Sequence, residues 1–262
     1  MIELSDKSYL GGHWVTPGGP VFSSFDAAKK EPLRAIHSCT LDEIEIAVRN
    51  AAQAQLEYRK RSGHEIAEFL RECAAQIEEL GDQLISVAAS ETALPIQRLV
   101  GERERTCGQL RMFADLAEEG EWVQASIDTA IPGRSPVPKP DLRRQLRPLG
   151  VVAVFGASNF PFAFGILGGD SASALAAGNA IVVKGHPSHP STSELLAHAI
   201  IRAIENSRMP MGLFSLLQGA ENDLGTNLVS NDEVAAVGFT GSLSGGRALM
   251  NVAAARTSPI PV

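Results

Sequence analysis

Cysteine is scarce in this chain. Its 262 residues hold three, Cys39, Cys73 and Cys107, far apart and with no CxxC pair or metal-ligand spacing, so no metal site is expected. Cys73 and Cys107 fall inside helical patterns and read as packed or surface thiols; none of the three stands where a reactive nucleophile would be expected. Apolar runs of membrane-spanning length are missing. The opening "MIELSDKSYL" lacks both the basic stretch and the apolar stretch of a secretory signal. The expectation is a cytoplasmic protein with no membrane partner. An excess of positive charge is also missing: 23 basic against 30 acidic residues give a net charge of −7, which argues against nucleic acid as the main partner. No G-x-x-x-x-G-K-[ST] phosphate loop appears, which argues against a phosphate-transfer enzyme.

What is present is an ordinary globular composition, 44% hydrophobic and 20% charged, at a length that admits one large domain or two small ones. Residues 8–25 are rich in glycine and aromatics and predict a short hairpin. "TLDE" at Thr40 and the Ser62/Glu65 pair are capping boxes that start two helices. The first carries Leu41, Ile44, Val48, Ala51 and Tyr58 at helical spacing, and the second carries Ile66, Leu70, Ala74 and Ile77. A third helix is expected over Asp82–Ala93, and a fourth from Pro95 to about Glu119. Residues 121–149 change character. Prolines and the alternating basic stretch "DLRRQLR" read as an exposed edge hairpin, either a solvated edge or a subunit-contact arm.

From Gly150 the chain alternates between apolar strands and helices. "VVAVF" leads to a helix over Phe162–Ala177, "AIVVK" to one over Ser191–Asn206, and "LFSLLQG" to a short one over Asn222–Val229. "VAAVGFT" leads to a helix over Ser242–Ala255, and "PIPV" opens a fifth strand. This pattern predicts an α/β fold: a doubly wound parallel, Rossmann-like sheet with an N-terminal helical layer and a basic hairpin arm. The expected organisation is residues 1–120 as the helical part of a cofactor-binding domain, 121–149 as the arm and 150–262 as the dinucleotide-binding part. Because it ends on the apolar residues of an opening strand, the chain is expected to be a piece of a longer protein.

Three strand ends should then cluster at one edge of the sheet, where such folds bind ligands. The first, "FGASNFP", presents Phe155, Gly156, Ala157, Ser158 and Asn159. Taken by itself Asn159 suits a helix N-cap best; the alternative is an amide donor to an oxyanion. The second, "VVKGHPSHP", brings Lys184 out of its strand as either a solvated lysine or a contact to ribose hydroxyls or a 2′-phosphate. His186 follows, and no carboxylate appears before Glu194, a field compatible with NADP. The third, "GFTGSLSGG", offers Phe239, Thr240, Gly241 and Ser242 as a glycine turn at a helix N-terminus, which is either a plain strand-to-helix turn or a phosphate cradle.

Taken together, "GASNFPFAFG", "SALAAGNAIVVKGHPSHPST" and "VGFTGSLSGGRAL" resemble the aldehyde dehydrogenase superfamily over nearly the whole chain. The branch most alike includes 2,5-dioxovalerate (α-ketoglutaric semialdehyde) dehydrogenases and NADP-using fatty aldehyde dehydrogenases. The resemblance implies oxidation of an aldehyde to a carboxylate through attack by a cysteine thiolate, hydride transfer to a nicotinamide and hydrolysis by a glutamate-activated water. It matches Asn159 to the oxyanion-binding amide, Lys184 to the ribose contact, and Gly241 and Ser242 to the pyrophosphate turn. Phe160, Phe164 and Leu167 match substrate-tunnel positions, although their spacing equally suits ordinary core. Pro187 replaces the glutamate that many NAD-preferring members carry, which implies NADP, with NAD possible. The family's nucleophilic cysteine and general-base glutamate have no match here, so the isolated chain is expected to be inactive. The arm implies a homo-oligomer; the alternative is a non-catalytic cofactor-binding or subunit-assembly fragment.

Overall fold

The first 37 residues form four short strands. β1 (Ser8–Leu10) and β2 (His13–Val15) are an antiparallel hairpin, and β3 (Val21–Asp26) pairs antiparallel with β4 (Glu31–His37). The hairpin expected at residues 8–25 is therefore two pairings, and β4 lay beyond its bounds. The computed structural model describes residues 1–262. Four helices follow: α1 (Leu41–Tyr58), α2 (Gly63–Glu79), α3 (Gly81–Thr92) and α4 (Ile96–Glu119). Both capping boxes form. Thr40 Oγ1 accepts the Glu43 N–H at 3.4 Å while Glu43 accepts the Thr40 N–H at 2.7 Å, and Ser62 and Glu65 make the same exchange at 3.2 and 2.8 Å. Gly120, at φ 72°, ends α4 in the left-handed conformation that glycine adopts freely. Ile44, Val48, Ala51 and Tyr58 are buried as their spacing required; Leu41, in the first turn, is exposed.

Beyond the exposed pair β5 (Ser126–Asp128) and β6 (Leu142–Arg144) come the alternating elements: β7 (Val151–Phe155), α5 (Gly169–Ala176), β8 (Ala180–Lys184), α6 (Pro190–Asn206), β9 (Phe214–Leu217), α7 (Asn222–Ser230), β10 (Val234–Phe239) and α8 (Leu243–Ala255). The main sheet runs β10-β7-β8-β9-β1-β2. Its first four strands are parallel, and β7 to β9 are almost wholly buried, as strands covered on both faces must be. The sheet is mixed rather than purely parallel. Tyr9 of β1 registers against Leu216 of β9, so the N-terminal hairpin closes the edge with two antiparallel strands. No helix is long and apolar enough to cross a membrane.

The order of the parallel strands fixes where a ligand can sit. From β7 the chain steps through β8 to β9, then returns past its starting point to β10. Right-handed crossovers place the helices of the outward and return steps on opposite faces. The crevice opens at this reversal, beyond the carboxyl ends of β7 and β10.

Two further expected elements differ. The helix expected from Phe162 begins only at Gly169. Residues 161–168 form tight turns instead, with Gly165 N–H bonded to Phe162 O and Gly168 N–H to Gly165 O. A β-carbon on Gly165 would lie 1.9 Å from Pro161 O, and one on Gly168 would lie 2.3 Å from Ala163 O, so this folded-back backbone needs both glycines. The expected fifth strand at "PIPV" is reduced to one bond, Val237 N–H to Pro261 O at 3.0 Å. Pro259 and Pro261 have no N–H with which to continue a ladder.

Candidate functional site

Strand β7 delivers Phe155 to its carboxyl end, and the chain then turns through Gly156, Ala157 and Ser158. The turn is fixed from both sides. Ala157 N–H bonds Phe164 O at 2.8 Å, and the fully buried His189 places Nε2 2.9 Å from Ala157 O. His189 is thus a structural clamp, which accounts for the second histidine of "GHPSHP". Its neighbour His186 takes the Ser188 N–H at Nδ1, which puts its own proton on Nε2. Burial, with smaller contributions from His189 and Lys184, pulls His186 down to about 4, so at neutral pH it offers an uncharged N–H donor.

Lys184 closes β8 with its ammonium bonded to Gly219 O at 2.8 Å and Gly185 O at 3.3 Å. Burial lowers it to about 8, partly offset by Glu221 and Cys39. Its aim is held by carbonyls at the ends of two neighbouring strands, so it is not a loosely solvated strand-end residue.

At the end of β10, Thr240 Oγ1 donates to Asp170 at 3.2 Å, and Ser242 caps α8 by accepting the Gly245 N–H at 3.1 Å. The glycines of this turn have an identifiable neighbour. A β-carbon on Gly241 would come within 2.7 Å of the Phe239 ring, on Gly245 within 3.1 Å and on Gly246 within 3.3 Å. The first turn of α8 rides directly over that ring, with its free N–H groups at the positive end of the helix.

These three strand ends converge on one cavity of about 570 Å³. All ten expected cofactor contacts line it: Phe155 to Ser158, Lys184, His186 and Phe239 to Ser242. Its remaining wall was not foreseen. Glu221, Asn222, Gly225 and Thr226 come from the start of α7, which approaches so closely that a β-carbon on Gly225 would sit 3.0 Å from Phe155. Glu221 is a carboxylate in this cavity, reached through β9 rather than through the segment that follows Lys184. Its signal was the short loop between the third strand and its helix, which must open at the same edge of the sheet as the other two.

Asn159 stands just outside this lining, exposed, on the residue after Ser158. It caps no helix, since α5 begins ten residues later at Gly169, after Gly168. No hydrogen bond engages its side-chain amide, while its backbone carbonyl accepts from Arg98 at 2.6 Å. The turn carrying it is anchored by Glu102, a buried α4 residue whose Oε1 accepts the Phe162 and Ala163 N–H groups at 2.8 and 3.0 Å. Phe160 and Phe164 are half-buried and meet edge-to-face at 5.4 Å. Leu167 is fully buried within the main core, so in this chain it is packing rather than an open wall.

A family model described as the aldehyde dehydrogenase family matches residues 14–261. The chain belongs to that family. Among curated aldehyde dehydrogenase relatives, alpha-ketoglutaric semialdehyde dehydrogenase of Acinetobacter baylyi is 47% identical over the whole chain, which covers 49% of that protein. Alpha-ketoglutaric semialdehyde dehydrogenase 2 of Azospirillum brasilense is 46% identical over the whole chain, which covers 50% of it. The chain thus spans about half the length of the curated relatives it matches. An NADP dependent enzyme of E. coli aligns over 97% of this chain and 50% of its own, at 27% identity and TM-score 0.84. An NAD-dependent benzaldehyde dehydrogenase of Corynebacterium glutamicum, at 21% identity and TM-score 0.85, covers 100% of this chain and 54% of its own and shares the fold.

Proposed function

We propose that this aldehyde dehydrogenase chain supplies the nicotinamide-dinucleotide site and the oxyanion amide for oxidation of an aldehyde to a carboxylate in the cytoplasm. The substrate we assign is 2,5-dioxovalerate, giving 2-oxoglutarate, in keeping with the names of the 46–47% identical relatives. The observation that carries this reading is the convergence of all ten expected contacts on one cavity. Its volume lies within the range of about 300–1,000 Å³ usual for small-molecule sites. The donor set also fits the cofactor: a glycine turn with free N–H groups for a pyrophosphate, an ammonium for ribose hydroxyls or a 2′-phosphate, and a neutral imidazole N–H beside it. Pro187 favours NADP by leaving that position uncharged. Glu221 weighs the other way, so the NADP preference rests on Lys184 as the cation on the wall. Bound there, the nicotinamide supplies the hydride acceptor. Asn159, held by its neighbours' backbone bonds, offers an uncharged amide that donates to developing negative charge without repelling it.

The three thiols of this chain do not suit the nucleophile's role. All are buried; burial pushes Cys39 up to about 12 and Cys107 up to about 11, and raises Cys73 as well. A thiol that resists ionisation is a poor nucleophile. The expected result is that NADP raises the melting temperature of the purified chain more than NAD does, with no aldehyde-dependent formation of reduced cofactor. No shift with either nucleotide would overturn the site, and turnover by the chain alone would overturn the assignment of its thiols.

The charge on Lys184 gives this binding a pH signature. NADP affinity should fall as pH rises through about 8, where the ammonium loses its proton. An affinity flat from pH 7 to 9.5 by calorimetry would remove Lys184 from the contact. We further assign residues 121–149 to self-association, supported by the apolar side chains exposed there, Ile127, Val137, Leu142, Leu146 and Leu149.

A further inference from the structure

Helix α4 turns one stripe toward the segment that carries Asn159. Arg98, Glu102 and Arg105 lie at i, i+4 and i+7 on that face. The first two are committed to the turn. Arg98 donates to Asn159 O at 2.6 Å with its guanidinium carbon 4.8 Å from the centre of the Phe160 ring, and Glu102 holds the Phe162 and Ala163 N–H groups. Arg105 has no such commitment. Of the four arginines on α4, Arg98, Arg103 and Arg111 each donate a hydrogen bond, to Asn159 O, to Gly81 O and to Glu78; Arg105 donates none and has no carboxylate within 4.0 Å. Its guanidinium carbon instead stands 5.1 Å from the Phe164 ring centre and 6.0 Å from that of Phe160. Two aromatic rings hold the charge in place and leave its N–H fork open.

We propose that Arg105 is a specificity-determining residue that binds the distal carboxylate of an aldehyde substrate whose carbonyl oxygen is presented to Asn159. The inference rests on the dehydrogenase reading above and deepens it by naming the side chain that would recognise the carboxylate of the substrate assigned there. Position and chemistry both point there. The ring next in sequence to Asn159 is the one 6.0 Å from Arg105. The planar fork accepts a carboxylate through two parallel hydrogen bonds, while Phe160 and Phe164 flank the methylene carbons between. A simple aliphatic aldehyde would leave the guanidinium unpaired.

The test uses the 262-residue chain and two aldehydes of equal length, 5-oxopentanoate and pentanal, which differ in one carboxylate. Titrations follow the Phe160 and Phe164 ring signals by NMR, with NADP titrated in parallel. 5-Oxopentanoate is expected to bind about tenfold more tightly than pentanal. Arg105→Gln should bring that ratio to about one, and Arg105→Lys should restore only part of it because an ammonium has no fork. NADP affinity should be unchanged in both variants. Equal affinities in the unsubstituted chain, a preference that survives Arg105→Gln, or no shift from either aldehyde would each overturn the proposal. NADP binding with a ratio of one overturns Arg105 alone. A normal ratio without NADP binding overturns the dehydrogenase reading and leaves the carboxylate site standing.

Discussion

Replacing Lys184 by methionine is expected to weaken NADP binding roughly 10- to 100-fold and yet stabilise the folded chain by about 1–3 kcal/mol at neutral pH. The two effects have one cause. The ammonium is held largely out of water by two carbonyls, and burial has lowered it from its ordinary value of 10.5 to about 8. A lysine whose folded-state value is depressed is one the fold would rather hold uncharged. Below about pH 8 both folded and unfolded chains carry the proton, and the penalty is present in full. Between about 8 and 10.5 the unfolded chain binds more protons, so this group's contribution to stability rises with pH. Other groups titrate in the same range, so the informative quantity is the stability gap between Lys184→Met and the unsubstituted chain. Denaturant melts should show that gap shrinking from pH 7.5 to 10. A methionine variant that is less stable at neutral pH, or that binds NADP normally, would remove the case for a charge kept for binding at the fold's expense.

Glu91→Ala is expected to destabilise the chain by about 3–5 kcal/mol, among the largest effects of any single substitution outside the cavity. Glu91 is a buried residue of α3 whose carboxylate reaches the first turn of α6, a hundred residues on. There Oε1 accepts the Ser191 N–H at 2.8 Å, and Oε2 accepts the Thr192 N–H at 2.8 Å and the Thr192 hydroxyl at 2.7 Å. No side chain of the helix itself makes this cap; His189 precedes it without one. Alanine would strand three buried donors at a helix end. Glu91→Gln retains acceptor capacity and should lose roughly half as much. Urea unfolding gives both numbers, and a change in unfolding free energy of less than about 1 kcal/mol for Glu91→Ala would mean that water replaces the carboxylate freely.

These anchors mark the limit of what the residue pattern discloses. Capping boxes at Thr40 and Ser62 were legible because both partners lie within one turn of each other. The four parallel strands were legible because burial on both faces demands uninterrupted apolar residues. The ten cavity contacts were legible because a parallel sheet brings consecutive strand ends to one edge. Glu91, Glu102 and Glu221 were not. On their helices or loops they look like solvated carboxylates, and only the assembled fold brings them to Thr192, Phe162 or the cavity. The antiparallel edge was hidden for a related reason: Tyr9 finds Leu216 across more than two hundred residues, and nothing in a three-residue strand names its partner. The turn over residues 161–168 misled because Phe160, Phe164 and Leu167 keep helical spacing while Gly165 and Gly168 set the actual path.

The Phe239 ring beneath the start of α8 makes the glycines above it conditional. A β-carbon on Gly241 or Gly246 would press on that ring alone, while one on Gly245 would also meet Ser242 Oγ at 3.2 Å, so tolerance at 241 and 246 is decided by the occupant of 239. With leucine at 239, alanine at 241 becomes sterically admissible, and each exchange alone is a poorer guide than the pair. Mutational interference of this kind, concentrated where strand hands over to helix, makes single-site scans of this corner overstate how rigidly its letters are fixed.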